Sequence, residues 1–469
     1  PSAKPSTQKV NMTMNSITAS ARLWIANPLA IHTNADEDAR GGLVIQSGKI
    51  VEVVATGQQP IHFDQQFDAS RHVLIPGLIN THHHFYQTLT RALPAALNKE
   101  LFPWLQTLYP VWAGLEPDML HQATRLALTE LLLSGCTAAA DHHYLFPQTL
   151  TDAIDIQAEA ARDVGLRVTL TRGSMSLGQD DGGLPPQHVV QSEATILADS
   201  ERLISRYHDA SEGSMVQVAL APCSPFSVTR DIMLASAELA AKHQVRLHTH
   251  LAETLDEEAF CQKMFGLRTV DYLDSVNWLH NRTWLAHGIH FDANEILRLG
   301  AAGVGICHCP TSNMMLASGI CPVKDLEAAG SPVGIGVDGS ASNDCSNLIQ
   351  ETRQAMYLQR LKYGSSSVTH QDALRWATQG SARVLGRDDI GTLAVGKQAD
   401  LALFNLDELR FSGSHDPLAA LLLCGAHQAD YVMVAGHWKV EKGEVAGVDI
   451  GALRNSHQQA ANRLAAKTN

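Results

Sequence analysis

The stretch LIPGLINTHHHF, from Leu74 to Phe85, decides the fold of this chain. A short apolar run leads into three consecutive histidines, and successive side chains of a strand point to opposite faces. On such a strand His82 and His84 face one way and His83 faces the other. Two imidazoles with this spacing can bind one metal ion, and zinc takes nitrogen ligands at about 2.0–2.1 Å. The stretch therefore predicts a metal site at the end of a buried strand.

Strands and helices alternate through the middle of the chain, residues 76–389. The apolar runs predict eight strands, at residues 74–80, 137–142, 166–171, 215–221, 245–250, 284–287, 304–307 and 333–337. Helical segments are predicted between them, for example at 115–133, 150–164, 192–207 and 231–243. Eight such units favour an α/β fold with a closed, TIM-like (β/α)8 barrel. The alternative, a doubly wound open sheet, usually has a Gly-rich phosphate-binding turn after its first strand, and none is present here.

Both ends of the chain carry short apolar segments broken by glycine turns. We expect residues 16–75 and 390–449 to form one small β-sandwich domain, into which the barrel of residues 76–389 is inserted. Residues 1–15 are polar and lack the apolar segment of a signal peptide, so we expect a disordered leader. Residues 450–469 are expected to form a polar C-terminal helix or tail that covers the β-domain or a neighbouring molecule.

Composition restricts the classes of partner. The chain has 469 residues and a formal net charge of −13, which argues against nucleic acid or an anionic membrane as partner. No apolar run reaches the ~18–20 residues that a transmembrane helix needs. Eight scattered cysteines fit reduced thiols better than a disulfide framework. We therefore expect a cytoplasmic protein that acts on a small molecule.

Polar side chains gather at the predicted carboxyl ends of the strands, where barrel enzymes place their active sites. In chain order they are His82, His84, His142, His143, Cys223, His248, His250, His287, His308 and Asp338. Spacing alone does not decide between His248 and His250 as a metal ligand, because both face the same way. The roles of His142, His143 and His308 stay open, since each fits either a loop contact or a supporting position beside the site.

Five segments in this order and spacing resemble the amidohydrolase superfamily, in its branch of mononuclear-zinc deaminases and triazine hydrolases. They are PGLINTHHH at 76–84, HTHLAE at 248–253, AHG at 286–288, CPTSN at 309–313 and GVDG at 336–339. The resemblance extends over residues 21–445. It implies one Zn²⁺ per chain, with Fe²⁺ as the alternative, held by His82, His84, His250 and Asp338. Relatives with two metal ions carry a carboxylated lysine on the fourth strand, and residues 215–221 contain no lysine.

The same resemblance implies the catalytic groups of an aminohydrolase that acts on C–N bonds of cyclic amidines. Zinc makes hydroxide available at neutral pH, and hydroxide attacks a ring carbon that carries an exocyclic amine. Asp338 and His287 accept the proton of the water, Glu253 protonates the adjacent ring nitrogen, and ammonia leaves. The chain keeps all of these residues, which argues against a non-catalytic scaffold. The family also suggests a homo-oligomer.

The loop after the first strand, residues 85–94 and 102–105, is similar to that of 8-oxoguanine deaminases and of hydroxyatrazine hydrolases. Gln87 can offer a donor and an acceptor to a purine edge. Cys223 and its neighbour replace an arginine that guanine deaminases use for the purine carbonyl. The resemblance thus implies substrate binding by Gln87, Cys223 and His287, and deamination of 8-oxoguanine to urate and ammonia. The alternatives are a triazine amino- or chlorohydrolase and a deaminase of another purine or pterin, such as guanine or isoxanthopterin.

Overall fold

Eight parallel strands form a closed barrel in a computed structural model that describes residues 21–467. Its strands are, in order, Leu78–Asn80, Cys136–His143, Arg167–Ser174, Val216–Pro222, Leu247–Leu251, Thr283–His287, Gly305–His308 and Val333–Ile335. The eighth strand pairs with the first and closes the barrel. The predicted (β/α)8 barrel is confirmed.

Helices surround the barrel and follow its strands. They are Leu101–Trp112, Pro117–Leu133, Ala153–Val164, Glu193–Tyr207, Arg230–His243, Leu255–Phe265, Thr269–Ser275, Ala293–Ala302, Pro310–Met315, Val323–Ala329, Leu348–Tyr363, His370–Arg375, Ser381–Val384, Pro417–Leu423 and Ile450–Ala466. Local side chains determine several of their ends. Thr229 and Asp292 accept backbone N–H groups at two helix starts. Gly165 ends another helix with a left-handed φ of 78°. No helix among residues 21–467 is long and apolar enough to cross a membrane.

The apolar run before the histidines forms two strands instead of one. His72–Pro76 pairs antiparallel with Leu401–Asn405, whereas Leu78–Asn80 belongs to the barrel. Gly77 lies between them, and a Cβ there would collide with the side chain of Thr137. Because the barrel strand ends at Asn80, the three histidines follow the strand. The prediction of one continuous strand over residues 74–80 is therefore wrong, because the run is divided at Gly77.

Strands from both ends of the chain form two further sheets. One contains, in spatial order, Lys49–Val54, Gly42–Gln46, Leu23–Ala26 and Gln65–Asp68. The other contains Glu444–Val445, His437–Glu441, Tyr431–Val434, Leu401–Asn405, His72–Pro76 and Ala30–Ile31. Ile25 and Leu43 of the first sheet share a buried core with Leu401 and Met433 of the second. The chain ends thus meet as the sequence predicted. The exact domain boundaries stay predictions, and the leader of residues 1–15 lies outside the described residues.

The C-terminal helix Ile450–Ala466 packs on barrel helix Pro117–Leu133 and on the 3₁₀ turn Phe85–Thr90. The hydroxyl of Thr88 donates to the carbonyl of Phe85, and it accepts a hydrogen bond from Nε2 of His457 at 3.0 Å. The helix therefore supports the turn that carries Gln87, and the expected cover of the β-domain or of a neighbouring molecule stays a prediction.

A buried ion pair joins the barrel to the sheet of the chain ends. Arg167, at the start of the third barrel strand, donates through Nε to Oδ2 of Asp400 at 2.6 Å and through Nη2 to Oδ1 at 3.1 Å. Asp400 also accepts the backbone N–H of Ala435 at 2.7 Å. Both charged side chains are 1% exposed, so neither has water as an alternative partner.

Replacing Asp400 by alanine is expected to destabilise the protein by about 3–5 kcal/mol, because it leaves the Arg167 charge buried and unpaired. Urea unfolding followed by circular dichroism measures the change. The exposed pair of Arg71 and Asp407 supplies the matched control, and Asp407→Ala is expected to cost at most about 1 kcal/mol. Equal unfolding midpoints for the two variants would contradict a structural role for the buried pair.

Candidate active site

Two histidines present unprotonated Nε2 atoms at the carboxyl end of the barrel. Nδ1 of His84 donates to the carbonyl of His142 at 2.7 Å, and Nδ1 of His250 donates to the carbonyl of Cys223 at 2.6 Å. A carbonyl only accepts, so each neutral ring carries its proton on Nδ1 and a lone pair on Nε2. Burial lowers the pKa of His250 to about 3, which keeps this ring neutral.

His248 gives the same orientation to a third histidine, His82. Nδ1 of His248 donates to the carbonyl of Trp284 at 2.9 Å, so its Nε2 accepts the Nδ1–H of His82 at 2.8 Å. Nε2 of His82 is then a lone pair, and this buried atom has no hydrogen-bond partner among residues 21–467. His248 thus lies beneath His82. Both of its nitrogens are occupied, whereas Nε2 of His250 faces the site.

Asp338, three residues beyond the last barrel strand, completes the group. Its Oδ1 lies 3.2 Å from Nε2 of His82 and 3.3 Å from Nε2 of His84. Nε2 of His84 in turn lies 3.3 Å from Nε2 of His250.

Three imidazole lone pairs and a carboxylate at such distances repel one another unless a cation binds between them. Neutral imidazoles with one carboxylate are the donor set that zinc and Fe²⁺ accept. The orphaned Nε2 of His82 fits the same reading, because buried polar atoms are nearly always paired. The described residues therefore form a histidine-rich site that could hold a metal ion.

His142 belongs to the same cluster, although the sequence left its role open. It groups with His82 and His250 as a second set of neighbouring ligand atoms. Its Nε2 donates to the carbonyl of Ala221 at 2.9 Å, which leaves an unpartnered, buried lone pair on Nδ1. His142 therefore adds a fourth imidazole to the group of His82, His84 and His250.

The other histidines of the pattern lie apart from this group. His83 accepts the next backbone N–H through Nδ1 at 2.8 Å. His143 donates through Nε2 to the carbonyl of Leu145 at 2.6 Å, and Nε2 of His308 lies 3.2 Å from the amide nitrogen of Gln359. Burial lowers the pKa of all three to about 3, so they act as neutral side chains of the interior.

Glu253 and His287 lie beside the Asp338 carboxylate. Nε2 of His287 lies 3.5 Å from Oε2 of Glu253 and 3.8 Å from Oδ2 of Asp338. Glu253 is 3% exposed. Burial, with the negative charge of Asp338, raises the pKa of Glu253 well above its ordinary value. The raised pKa favours the protonated form of this carboxyl group, which suits a general acid.

Glu257 positions the backbone of Glu253 and was missed by the sequence analysis. Its two carboxylate oxygens accept the N–H groups of Ala252 at 3.0 Å and of Glu253 at 2.9 Å. Ala252 has a left-handed φ of 55°, a conformation that costs a non-glycine residue about 1–3 kcal/mol. An acidic residue in the first turn of a helix is common for electrostatic reasons alone, so the sequence carried no distinct signal for this contact.

A cavity of about 370 Å³ opens onto these groups. Its lining residues are His84, Gln87, Leu101, Trp104, Leu105, Tyr109, Tyr144, Cys223, Phe226, His250, Glu253, His287, Leu316, Asp338 and Ser342. Aromatic and aliphatic side chains make up much of the wall, and no lysine or arginine is among these residues. The apolar wall and the lack of a cationic side chain among these residues suit a flat, uncharged heterocycle.

The two predicted substrate residues outside the catalytic group, Gln87 and Cys223, both line this cavity. Oε1 of Gln87 accepts the backbone N–H of Ala341 at 3.4 Å, and the side chain packs so closely on Gly339 that a Cβ there would collide with it. The amide nitrogen of Gln87 stays available as a donor. Burial raises the pKa of the Cys223 thiol to about 12, so it lines the cavity as a neutral group.

Comparison with known proteins gives the family. The model of the Amidohydrolase family matches residues 73–447. The chain belongs to the amidohydrolase family. It is 68% identical to the 8-oxoguanine deaminase of Pseudomonas aeruginosa over 447 residues, which are 95% of this chain and 100% of the relative. It is 36% identical to an isoxanthopterin deaminase of an unknown prokaryotic organism over 417 residues, covering 85% of this chain and 86% of the relative.

Solved structures agree with this family assignment. The atrazine chlorohydrolase of Arthrobacter aurescens TC1 complexed with zinc is 31% identical and has a TM-score of 0.88, with 94% of this chain and 100% of that chain covered. The family that the sequence motifs indicated is thereby confirmed.

Proposed function

We propose that this chain is a metal-dependent aminohydrolase that converts 8-oxoguanine to urate and ammonia. The 68% identity to an 8-oxoguanine deaminase along the full length of that relative carries the proposal. The cavity supports it, because aromatic and aliphatic side chains around the catalytic groups suit a bicyclic purine. The net charge of −13 fits a small-molecule substrate better than a nucleic acid.

One Zn²⁺ per chain is the proposed cofactor, with Fe²⁺ as the alternative that the same donor set accepts. His82, His84, His250 and Asp338 would hold it. The unpartnered lone pair on His82 and the contacts of 3.2–3.3 Å among the donor atoms support this assignment. The fourth barrel strand, Val216–Pro222, contains no lysine, which supports a single ion.

The residues around the site supply the proton transfers. The metal ion contributes Lewis acidity, which makes hydroxide available at neutral pH. Oδ2 of Asp338 and Nε2 of His287, 3.8 Å apart, accept the proton of the attacking water. Glu253, protonated because it is buried, gives its proton to the ring nitrogen beside the attacked carbon, so the C=N bond can accept the electron pair.

Ammonia then leaves with a second proton while the ring carbon becomes a carbonyl. Glu253, now a carboxylate, lies 3.5 Å from His287, from which it can recover the first water proton and pass it to the leaving amine. The hydroxyl proton that is released as the carbonyl forms passes through Asp338 and His287 to Glu253 and restores its protonated form. General acid–base steps of this kind contribute typically ~10²–10⁴-fold each.

A triazine substrate is the second candidate. The structural match to a zinc-bound atrazine chlorohydrolase, with a TM-score of 0.88, favours it, and the same arrangement of groups can expel an amine or chloride. The higher identity to the purine deaminase places this candidate second.

Ammonia release from a panel of substrates tests the proposal. The panel contains 8-oxoguanine, guanine, isoxanthopterin, hydroxyatrazine and S-adenosylhomocysteine, with metal quantified on the same sample. We expect the highest kcat/KM for 8-oxoguanine at about one zinc per chain. A preference for the triazine would overturn the substrate assignment and leave the metal assignment intact. No release from a fully metallated sample would overturn the deaminase assignment.

A further inference from the structure

Tyr109 presents a buried hydroxyl to the active-site cavity. It lies on helix Leu101–Trp112, is 1% exposed, and its ring meets that of Trp112 edge-on at 6.1 Å between centroids. The oxygen has no hydrogen-bond partner among residues 21–467, although Tyr109 lines the cavity beside Glu253 and Cys223. Buried hydroxyls nearly always have a partner, so this one is placed for a ligand that enters the cavity.

The direction of that hydrogen bond follows from the chemistry of the wall. Burial raises the pKa of Tyr109 well above its ordinary value, so the phenol keeps its proton and can donate. The amide nitrogen of Gln87 is a second neutral donor, because its oxygen is taken by Ala341. No lysine or arginine of residues 21–467 lines the cavity. A cavity wall that offers two neutral donors, the Tyr109 hydroxyl and the Gln87 amide, and no cationic side chain suits the carbonyl oxygens of an uncharged ring.

We propose that Tyr109 is a specificity residue whose hydroxyl donates a hydrogen bond to an exocyclic carbonyl oxygen of the bicyclic substrate. This inference rests on the proposed function, because it takes the substrate to be a purine with carbonyl groups away from the attacked amine. 8-Oxoguanine has two such oxygens, at C6 and at C8. Guanine lacks the oxygen at C8, so a comparison of the two bases identifies which oxygen is bound.

A second tyrosine provides a matched control. The Tyr272 hydroxyl is also buried and unpartnered in the described part of the chain, and its ring stacks on Phe265 at 4.6 Å. Tyr272 lies on helix Thr269–Ser275 and does not line the cavity. Removing one oxygen from each residue therefore separates the effect of losing a buried hydroxyl from the effect of losing a substrate contact.

The experiment compares Tyr109→Phe and Tyr272→Phe with the wild-type metalloenzyme. For each protein, kcat/KM is measured with 8-oxoguanine, guanine is measured as a substrate or competitive inhibitor, and metal content and Tm are recorded. We expect Tyr109→Phe to lower kcat/KM for 8-oxoguanine about 10–100-fold, the usual size of a lost substrate hydrogen bond at a buried site. Tyr272→Phe is expected to stay within about twofold of wild type.

The behaviour of guanine identifies the oxygen. Weaker guanine binding to Tyr109→Phe by the same factor supports a bond to the C6 oxygen, and unchanged guanine binding supports the C8 oxygen. If the wild type deaminates 8-oxoguanine and the kcat/KM of Tyr109→Phe stays within twofold of it, the Tyr109 assignment is wrong and the proposed function stands. Equal losses of kcat/KM in Tyr109→Phe and Tyr272→Phe have the same meaning. A wild type that does not deaminate 8-oxoguanine overturns both.

Discussion

Glu253→Gln is expected to lower kcat by ~10²–10⁴-fold while the metal content stays near that of the wild type. Glutamine keeps the size of the side chain but cannot carry the proton. Glu253 is not among the four proposed ligands, and its Oε2 lies 3.5 Å from Nε2 of His287. Loss of turnover without loss of metal therefore isolates proton transfer from metal binding.

The measurement is steady-state kinetics with 8-oxoguanine beside metal analysis of the same sample. Glu258→Gln is the matched control, because this residue lies on the same segment but pairs with Arg268 at 3.1 Å and does not line the cavity. We expect it to retain kcat within about twofold. A Glu253→Gln enzyme with near-normal kcat would remove Glu253 from the mechanism, and one that had lost its metal would indicate a structural role instead.

The barrel was predictable because its strands are short apolar runs with helices between them, and eight such units leave few alternatives. The division of the first run was not predictable. Its first half, His72–Pro76, pairs with Leu401–Asn405 near the other end of the chain. The local sequence does not indicate which distant segment will pair with it. The same limit explains the C-terminal helix, whose polar sequence does not specify that His457 contacts Thr88.

The candidate site divides in the same way. Sequence motifs predicted three of the proposed ligands, His82, His84 and Asp338, and the fold brings them together. The position of Tyr109 at the cavity could not be predicted, because the sequence pattern of an amphipathic helix does not distinguish an aromatic residue of the core from one that lines a cavity. His248 was visible in the sequence, but only the tertiary structure places its ring under His82 and thereby determines which nitrogen is free.

His82→Ala is expected to abolish both bound metal and turnover. The substitution removes one of four proposed ligands, and it leaves Nε2 of His248 without its 2.8 Å partner. A supporting residue behind a ligand typically costs about 10–100-fold in metal affinity when it is removed, so loss of the ligand itself costs more than that. Metal per chain after dialysis and competition with a chelator measure the effect, and circular dichroism checks that the barrel is folded.

Two neighbouring histidines make the prediction graded. His248→Ala keeps all four ligands and loses only the orientation of His82, so we expect metal affinity to fall about 10–100-fold, with activity recovered at excess Zn²⁺. His83→Ala removes a ring that accepts a backbone N–H and does not face the cluster, so metal content should stay near wild type in the folded protein.

The expected order of metal loss is His82, then His248, then His83. A His82→Ala protein that still binds one tight zinc, or an order in which His83 matters most, would contradict the proposed ligand set. It would then direct attention to His142, whose buried and unpartnered Nδ1 is a further donor in the cluster.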